Sequence, residues 1–146
     1  MKQEEILQQV KDGRLSVEEA STLLKGIEDI GYAAIDLSRQ KRNGFPEIIY
    51  GEGKNIEQLI GIIRAMNEHK TAILATRVNA EKGEALSQAF PEGIYEPLGR
   101  TFVLNPIAPK HEHYIAVVTA GTSDIPVAEE AAVTAETFGN HVKRIY

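Results

Sequence analysis

No cysteine occurs anywhere in the sequence. That excludes a disulfide framework, a thiolate metal site and a cysteine nucleophile among these residues. No apolar run is long enough to span a bilayer, and the first residues do not follow the pattern of a signal peptide. Positive charge is in the minority: 16 Lys and Arg against 21 Asp and Glu leave a net charge of −5. Such a balance argues against a general nucleic-acid coat and against a binder of anionic membranes. Internal repeats and low-complexity segments are also missing. What remains is ordinary, with 42% hydrophobic and 25% charged residues over 146 positions. The expectation is a soluble cytoplasmic chain of one domain or two small ones.

The chain opens on a helical hairpin, residues 4–26. Ile6, Leu7 and Val10 give a short apolar face, and Asp12-Gly13 closes it. Ser16-Val17-Glu18-Glu19 has the form of a capping box. Val17, Ala20, Leu24 and Ile27 continue one face of a second helix. A hairpin this small buries too little surface to stand alone, so it reads as a docking or oligomerisation element. Tyr32 to Arg42 fits either a strand or a helix. If helical, it sets Asp36, Arg39 and Arg42 on one side.

Glu47 to Tyr50 reads as a short strand. Gly51 to Asn55 then turns into a helix capped by Asn55, with an apolar stripe of Ile56, Leu59, Ile60, Ile63 and Met66. Thr71 to Ala75 is the next strand, which completes a βαβ unit. The loops after two parallel strands share one sheet edge, the edge where open α/β sheets bind ligands. Lys54 and Arg77 are therefore placed to converge on an anion, although neither glycine-rich nucleotide fingerprint is present. A solvated charged surface remains the alternative. Asn79 caps a short helix to about Phe90. Ile94-Tyr95 and Thr101 to Leu104 are strands around a Pro97-Leu98-Gly99 turn. Asn105 to His113 is a polar linker, and its His111 and His113 lack the further ligands that a metal site needs.

Tyr114 to Thr119 is an unbroken apolar run rich in β-branched residues, which predicts a parallel strand covered on both faces. Ala120-Gly121-Thr122-Ser123-Asp124 turns the chain into a helix opened by Pro126, with Ser123 or Asp124 as N-cap. Val127, Ala131, Ala135 and Phe138 fall on one helical face, and Gly139-Asn140 stops the helix. A small-residue loop at a helix N-terminus suits a phosphate. Asp124 instead suits a ribose hydroxyl, a metal ion or proton transfer. The residues alone leave open a simple N-cap with no ligand. Val142 to Tyr146 starts another strand.

The stretch TAGTSDIPVAEEA resembles the loop that opens the catalytic domain of LarB-type proteins, the carboxylase/hydrolases of nickel-pincer nucleotide cofactor synthesis. That domain is similar to the aminoimidazole ribonucleotide carboxylase/mutase of purine synthesis. Asp36, Arg39, Arg42, Gly44-Phe45-Pro46-Glu47, Gly51, Lys54 and Thr76-Arg77 resemble the amino-terminal region of the same family, so the likeness covers nearly the whole chain. It implies an α/β fold with four parts: a helical hairpin at 1–30, a small α/β domain at 31–105, a linker at 106–113, and at 114–146 the truncated start of a flavodoxin-like, doubly wound carboxylase domain. The chain is expected to be the front part of a longer protein.

The resemblance implies a reaction in which nicotinic acid adenine dinucleotide is carboxylated with carbon dioxide or bicarbonate and split, releasing AMP. It implies magnesium as the metal and a cysteine that adds transiently to the pyridinium ring. No residue here can take the cysteine's role, which is expected after Tyr146, so this chain alone is expected to be inactive. Gly121, Thr122 and Ser123, with Lys54 and Arg77, are the expected nucleotide contacts, and Asp124 is the expected catalytic residue. The complete carboxylase-like domain is expected to form homo-oligomers. No nucleic-acid or membrane partner is expected. Two other readings stand beside this one: a purine-pathway carboxylase relative, and a module in which residues 1–105 bind a nucleotide, cover an active site or set the assembly without chemistry of their own.

Overall fold

The computed structural model describes residues 3–36 and 44–146. Arg39 and Arg42 of the charged face proposed above lie outside the described residues. The chain divides into two compact units, Met1–Glu47 and Ile48–Tyr146.

In the first unit, helices α1 (Gln3–Lys11) and α2 (Val17–Lys25) form the expected hairpin. Gly13 turns between them with φ 70°. Ser16 and Glu19 make the reciprocal capping box, with Glu19 Oε2 accepting from the Ser16 amide at 2.8 Å. That bond and the Ser16 hydroxyl hold the Glu19 carboxyl below its usual range. Ile6 and Ala20 are buried, whereas Leu7, Val17 and Leu24 of the expected apolar faces are exposed. Nine-residue helices do not have the area to bury both. Ile27 does not continue α2. Gly26, left-handed at φ 69°, ends the helix. Ile27 then begins β1 (Ile27–Asp29), which pairs antiparallel with β2 (Ala34–Asp36). The Asp36 amide donates to Glu47 Oε2 at 3.1 Å.

In the second unit a four-stranded sheet has the strand order Ile48–Tyr50, Ile73–Thr76, Thr101–Leu104, Ile94–Glu96. Its elements are β3 (Ile48–Tyr50), α3 (Ile56–Glu68), β4 (Ile73–Thr76), α4 (Ala80–Ala89), β5 (Ile94–Glu96) and β6 (Thr101–Leu104). β3 and β4 are parallel, as a βαβ unit requires, and β4–β6 and β6–β5 are antiparallel. The caps are as predicted: Asn55 boxes with Gln58, and Asn79 Oδ1 accepts from the Lys82 amide at 2.9 Å. The stripe of α3 buries Leu59, Ile63 and Met66, joined by Ile62 and Ala65. β4 starts at Ile73, two residues later than predicted.

Beyond residues 105–113 follow β7 (Tyr114–Val118), a 3-10 turn (Thr122–Asp124), α5 (Ile125–Thr137) and β8 (His141–Ile145). β7 and β8 are parallel neighbours. Two expectations fail here. The residues of β7 are mostly exposed rather than covered on both faces, with Tyr114 at 61% and Val118 at 66%. α5 buries Ala128, Glu129, Ala132, Val133 and Thr137, while Val127 and Ala131 of the predicted stripe are exposed. The buried face is turned by about one residue because α5 packs on two sheets at once, the β7–β8 pair and strands β4 and β6. Val133 sits with Leu74 and Val103, and Phe138 packs against them.

Candidate functional site at the sheet edge and the 121–124 loop

The register of the four strands sorts the face turned toward α5 into two rows. Ile48, Leu74, Val103 and Ile94 pair in sequence across the sheet. This row is apolar, and Val133 packs on its centre. One pleat further along, Tyr50 pairs with Thr76 and Thr101 with Glu96, and the β4–β6 register carried one residue past Ala75–Phe102 puts Thr76 opposite Thr101. That second row is polar and lies at the carboxyl end of β3 and β4. The opposite face carries Ile49, Ile73, Ala75, Phe102 and Leu104, all buried, and is covered by α3 and α4.

At the polar end the loops after β3 and β4 are bonded together, the Gly51 amide donating to the Thr76 carbonyl at 2.8 Å. A Cβ on Gly51 would lie 2.8 Å from that same oxygen, so only glycine permits the approach. Arg77 follows with φ 56°, and the Val78 amide reaches the Arg100 carbonyl at 2.8 Å, one residue out of the register before it. Arg77 is thus the extra residue of a bulge, which re-aims its side chain. Arg100 is also left-handed, at φ 52°.

The charged groups at this edge have separate partners. Lys54 Nζ donates to the Tyr50 carbonyl at 3.1 Å. Lys82 Nζ donates to the carbonyls of Gly51 and Glu52 at 2.9 and 3.3 Å. Arg77 Nε faces Glu130 Oε2 of α5 at 3.3 Å. The structure therefore brings the loops of Lys54 and Arg77 together but engages the two cations with different groups. Tyr50 donates its hydroxyl to Glu52, which raises its pKa, while the charges of Arg77 and Arg100 oppose that rise. Sequence reasoning missed Tyr50, Lys82, Arg100, Thr101 and Glu130. The one available signal was the strand register, because alternation from Leu74 and Val103 puts Thr76 and Thr101 on the same face.

The second candidate is the loop after β7. Gly121, Thr122, Ser123 and Asp124 are all exposed. The chain enters α5 through the 3-10 turn, with the Asp124 amide donating to the Gly121 carbonyl at 3.2 Å. Asp124 holds the N-cap position yet makes no side-chain cap bond, and its backbone is already helical at φ −92°, ψ −11°. A capping side chain needs an extended backbone, so the expected Asp124 or Ser123 cap does not form. Among the described residues the carboxylate has no hydrogen-bond partner, and it lies 3.8 Å from where a Gly121 Cβ would be. Among the described residues no three His, Cys, Asp or Glu gather as a metal cluster. Asp124 alone offers the single hard oxygen ligand that magnesium commonly takes from a protein when a nucleotide's phosphates supply others.

Behind the loop, Arg144 Nε donates to both oxygens of Glu129 at 3.0 and 2.9 Å, and its terminal nitrogens reach Glu136 at 2.7 and 2.8 Å. Tyr146 donates to Glu129 Oε2 at 2.7 Å. These bonds tie β8 to α5 and keep the buried Glu129 carboxyl below its usual range.

A βαβ unit extended into a mixed sheet, followed by a strand, a small-residue loop and a helix with a second parallel strand, defines an α/β protein with ligand-type loops at two strand ends. Residues 27–106 match the family described as the LarB/PurE-like N-terminal domain. The chain belongs to that family. It is also 33% identical, over 152 residues, to an uncharacterized protein of Methanocaldococcus jannaschii. That alignment covers 92% of this chain and 57% of the relative, so the chain spans little more than half of the relative's length. No helix among the described residues is long and apolar enough to cross a membrane.

Proposed function

We propose that this chain is the amino-terminal portion of a carboxylase/hydrolase acting on nicotinic acid adenine dinucleotide, making the pyridinium dicarboxylate mononucleotide precursor of the nickel-pincer cofactor with release of AMP. The observation that carries the reading is the Gly121–Asp124 loop, an exposed small-residue turn between a parallel strand and a helix N-terminus, bearing an uncapped carboxylate. In this reading the loop amides and the Thr122 and Ser123 hydroxyls bind the dinucleotide's phosphate. Asp124 holds a ribose hydroxyl or a magnesium ion, and magnesium would neutralise phosphate charge during pyrophosphate cleavage. Lys54 and Arg77 add nucleotide contacts from the other sheet. Carbon dioxide or bicarbonate is the co-substrate. Ring addition needs a thiol, and these 146 residues contain none, so the chain binds without turning over.

The test offers the chain nicotinic acid adenine dinucleotide or aminoimidazole ribonucleotide in a calorimeter, with bicarbonate and magnesium present. Dinucleotide binding weakened by Asp124→Asn, with no AMP or dicarboxylated product by mass spectrometry, is the expected result. Binding of the imidazole ribonucleotide alone would favour a purine-pathway carboxylase relative. Binding of neither would favour an assembly module without chemistry.

A further inference from the structure

We infer that the polar row at the carboxyl end of β3 and β4 is a phosphoryl-binding site, built from Arg77, Arg100, Thr76 and Thr101, in which the Glu130 carboxylate occupies the anion's place when the site is empty. The inference deepens the assignment of Arg77 as a nucleotide contact, but it needs neither the 121–124 loop nor any carboxylation.

Three observations converge. First, the Thr101 hydroxyl is fully buried and makes no hydrogen bond. A buried unpaired hydroxyl is costly and rare, and this one lies on the row that faces α5. Second, among the described residues the Arg100 side chain makes no hydrogen bond or ion pair, and Arg77 has one partner, Glu130, whose Oε2 lies 3.3 Å from Nε. Both guanidinium groups therefore keep donors for a further ligand. Third, Glu130 reaches this edge from α5, whose backbone passes so close that a Cβ on Gly99 would lie 2.9 Å from the Glu130 nitrogen. An acid is thus held on Arg77, next to the chain that carries Gly99 and Arg100, at the place where an anion would sit.

The donor set selects the ligand. Two guanidinium groups and two threonine hydroxyls supply more donors than the two oxygens of a carboxylate can use. A phosphate monoester presents three terminal oxygens and close to two charges, and arginine matches its geometry in bidentate fashion. Lys54 and Lys82 are held on backbone carbonyls of residues 50–52 and stay outside the set. Tyr50 shares the row, is 55% exposed and has its hydroxyl engaged by Glu52, so it offers a stacking face and no further donor. A nucleoside monophosphate can use both features, whereas inorganic phosphate uses only the first.

The experiment titrates the 146-residue chain with inorganic phosphate and, separately, with AMP at low ionic strength, in wild type and in Arg100→Gln, Arg77→Gln and Glu130→Gln. Both probes are expected to bind. Each arginine substitution should weaken binding about tenfold or more, and Glu130→Gln should tighten it several-fold by removing the competing carboxylate. Thermal melts of each variant keep misfolding apart from lost contacts. AMP binding tighter than phosphate assigns the site to a nucleotide, and equal affinity assigns it to the phosphoryl group alone; either outcome supports the site. No binding of either probe at millimolar concentration, or weaker binding in Glu130→Gln, would overturn it. Arg100, Thr101 and Glu130 lie outside the 121–124 loop, so loss of this site and loss of the loop's are read by different substitutions.

Discussion

Strands β6 and β7 are similarly apolar, Thr-Phe-Val-Leu against Tyr-Ile-Ala-Val-Val, yet every residue of β6 is buried and four of the five in β7 are exposed. The difference lies in what covers them. β6 is central in a sheet with α3 and α4 on one face and α5 on the other, so both sides of its pleat meet side chains. β7 has one neighbouring strand, and α5 covers one of its faces. A continuous apolar run specifies a strand, whereas burial is a property of the surrounding layers. The two sheets are correspondingly held by different forces. Phe102, with its ring against Phe90 at 6.4 Å, anchors the first by packing. The Arg144 network anchors the second by charge and hydrogen bonds.

The largest expected effect tests that contrast directly. Phe102→Ala should cost about 3–5 kcal/mol, from lost transfer energy plus the cavity left in a fully buried site. Ile115→Ala in β7, at 44% exposure, should cost no more than about 1 kcal/mol. Urea unfolding of both variants gives the comparison. Equal losses, especially with a midpoint that depends on protein concentration, would mean that the β7 face is covered in solution.

A smaller effect belongs to the polar anchor. Arg144→Ala leaves Glu129, only 8% exposed, without its cation. The cost should be about 2–3 kcal/mol, between the values for exposed and fully buried pairs because Arg144 is partly solvated. Its pH signature has two windows. The Glu129 carboxyl is lowered in the fold, chiefly by its Arg144 hydrogen bonds, so its contribution is present above the usual carboxylate range and is lost as pH falls through the lowered value. Tyr146 is raised from 10.0 to about 12, first by desolvation and then by its bond to Glu129. Its contribution is complete below pH 10 and disappears as pH rises through about 12. Melting temperature against pH should therefore fall at both ends, with Glu129→Gln flattening the acid limb and Tyr146→Phe reducing the alkaline one. Unchanged limbs would show that the network contributes nothing.

The same contrast separates what was legible in the sequence from what was not. Most of the local chemistry is legible in the residues, the cap expected at Ser123 or Asp124 excepted. The Ser16 and Asn55 caps, the β3–α3–β4 unit and the turn at 97–99 follow from short-range rules, and all are present. The shared edge of the loops at Gly51 and Arg77 followed from parallel topology alone. Features set by tertiary partners escaped. The rotated face of α5 depends on packing against two sheets. The spacing of Ile27 fits a helix, and only the left-handed Gly26 shows where α2 ends. The ion pair at the sheet edge escaped for the same reason: Arg77 and Glu130 are far apart in the chain, and nothing local joins them. Glu129, read only as part of a motif, proved to be a buried acid that requires Arg144.

The smallest expected effect on stability is at Asp124. A residue at the start of a helix is ordinarily credited with a capping bond, and its loss by substitution with Ala costs about 1 kcal/mol. Asp124 makes no such bond, because the 3-10 turn runs directly into α5 and leaves its backbone helical. Only the interaction of its charge with the helix dipole remains, about 0.3–1 kcal/mol and further screened on an exposed loop. Asp124→Asn and Asp124→Ala should therefore unfold within about 0.5 kcal/mol of wild type and of each other in urea. A cap that forms in solution would separate them, with Ala losing about 1 kcal/mol and Asn almost nothing. Ligand affinity supplies the other half of the test. A carboxylate that holds a ribose hydroxyl or magnesium accepts with both oxygens, whereas Asn offers one acceptor and turns a donor toward the ligand. Dinucleotide affinity in the presence of magnesium should thus drop in both variants while stability hardly moves. If affinity and stability change together, the residue's contribution is to the helix. If neither changes, the free carboxylate is an ordinary surface acid and the loop binds through its amides and hydroxyls alone.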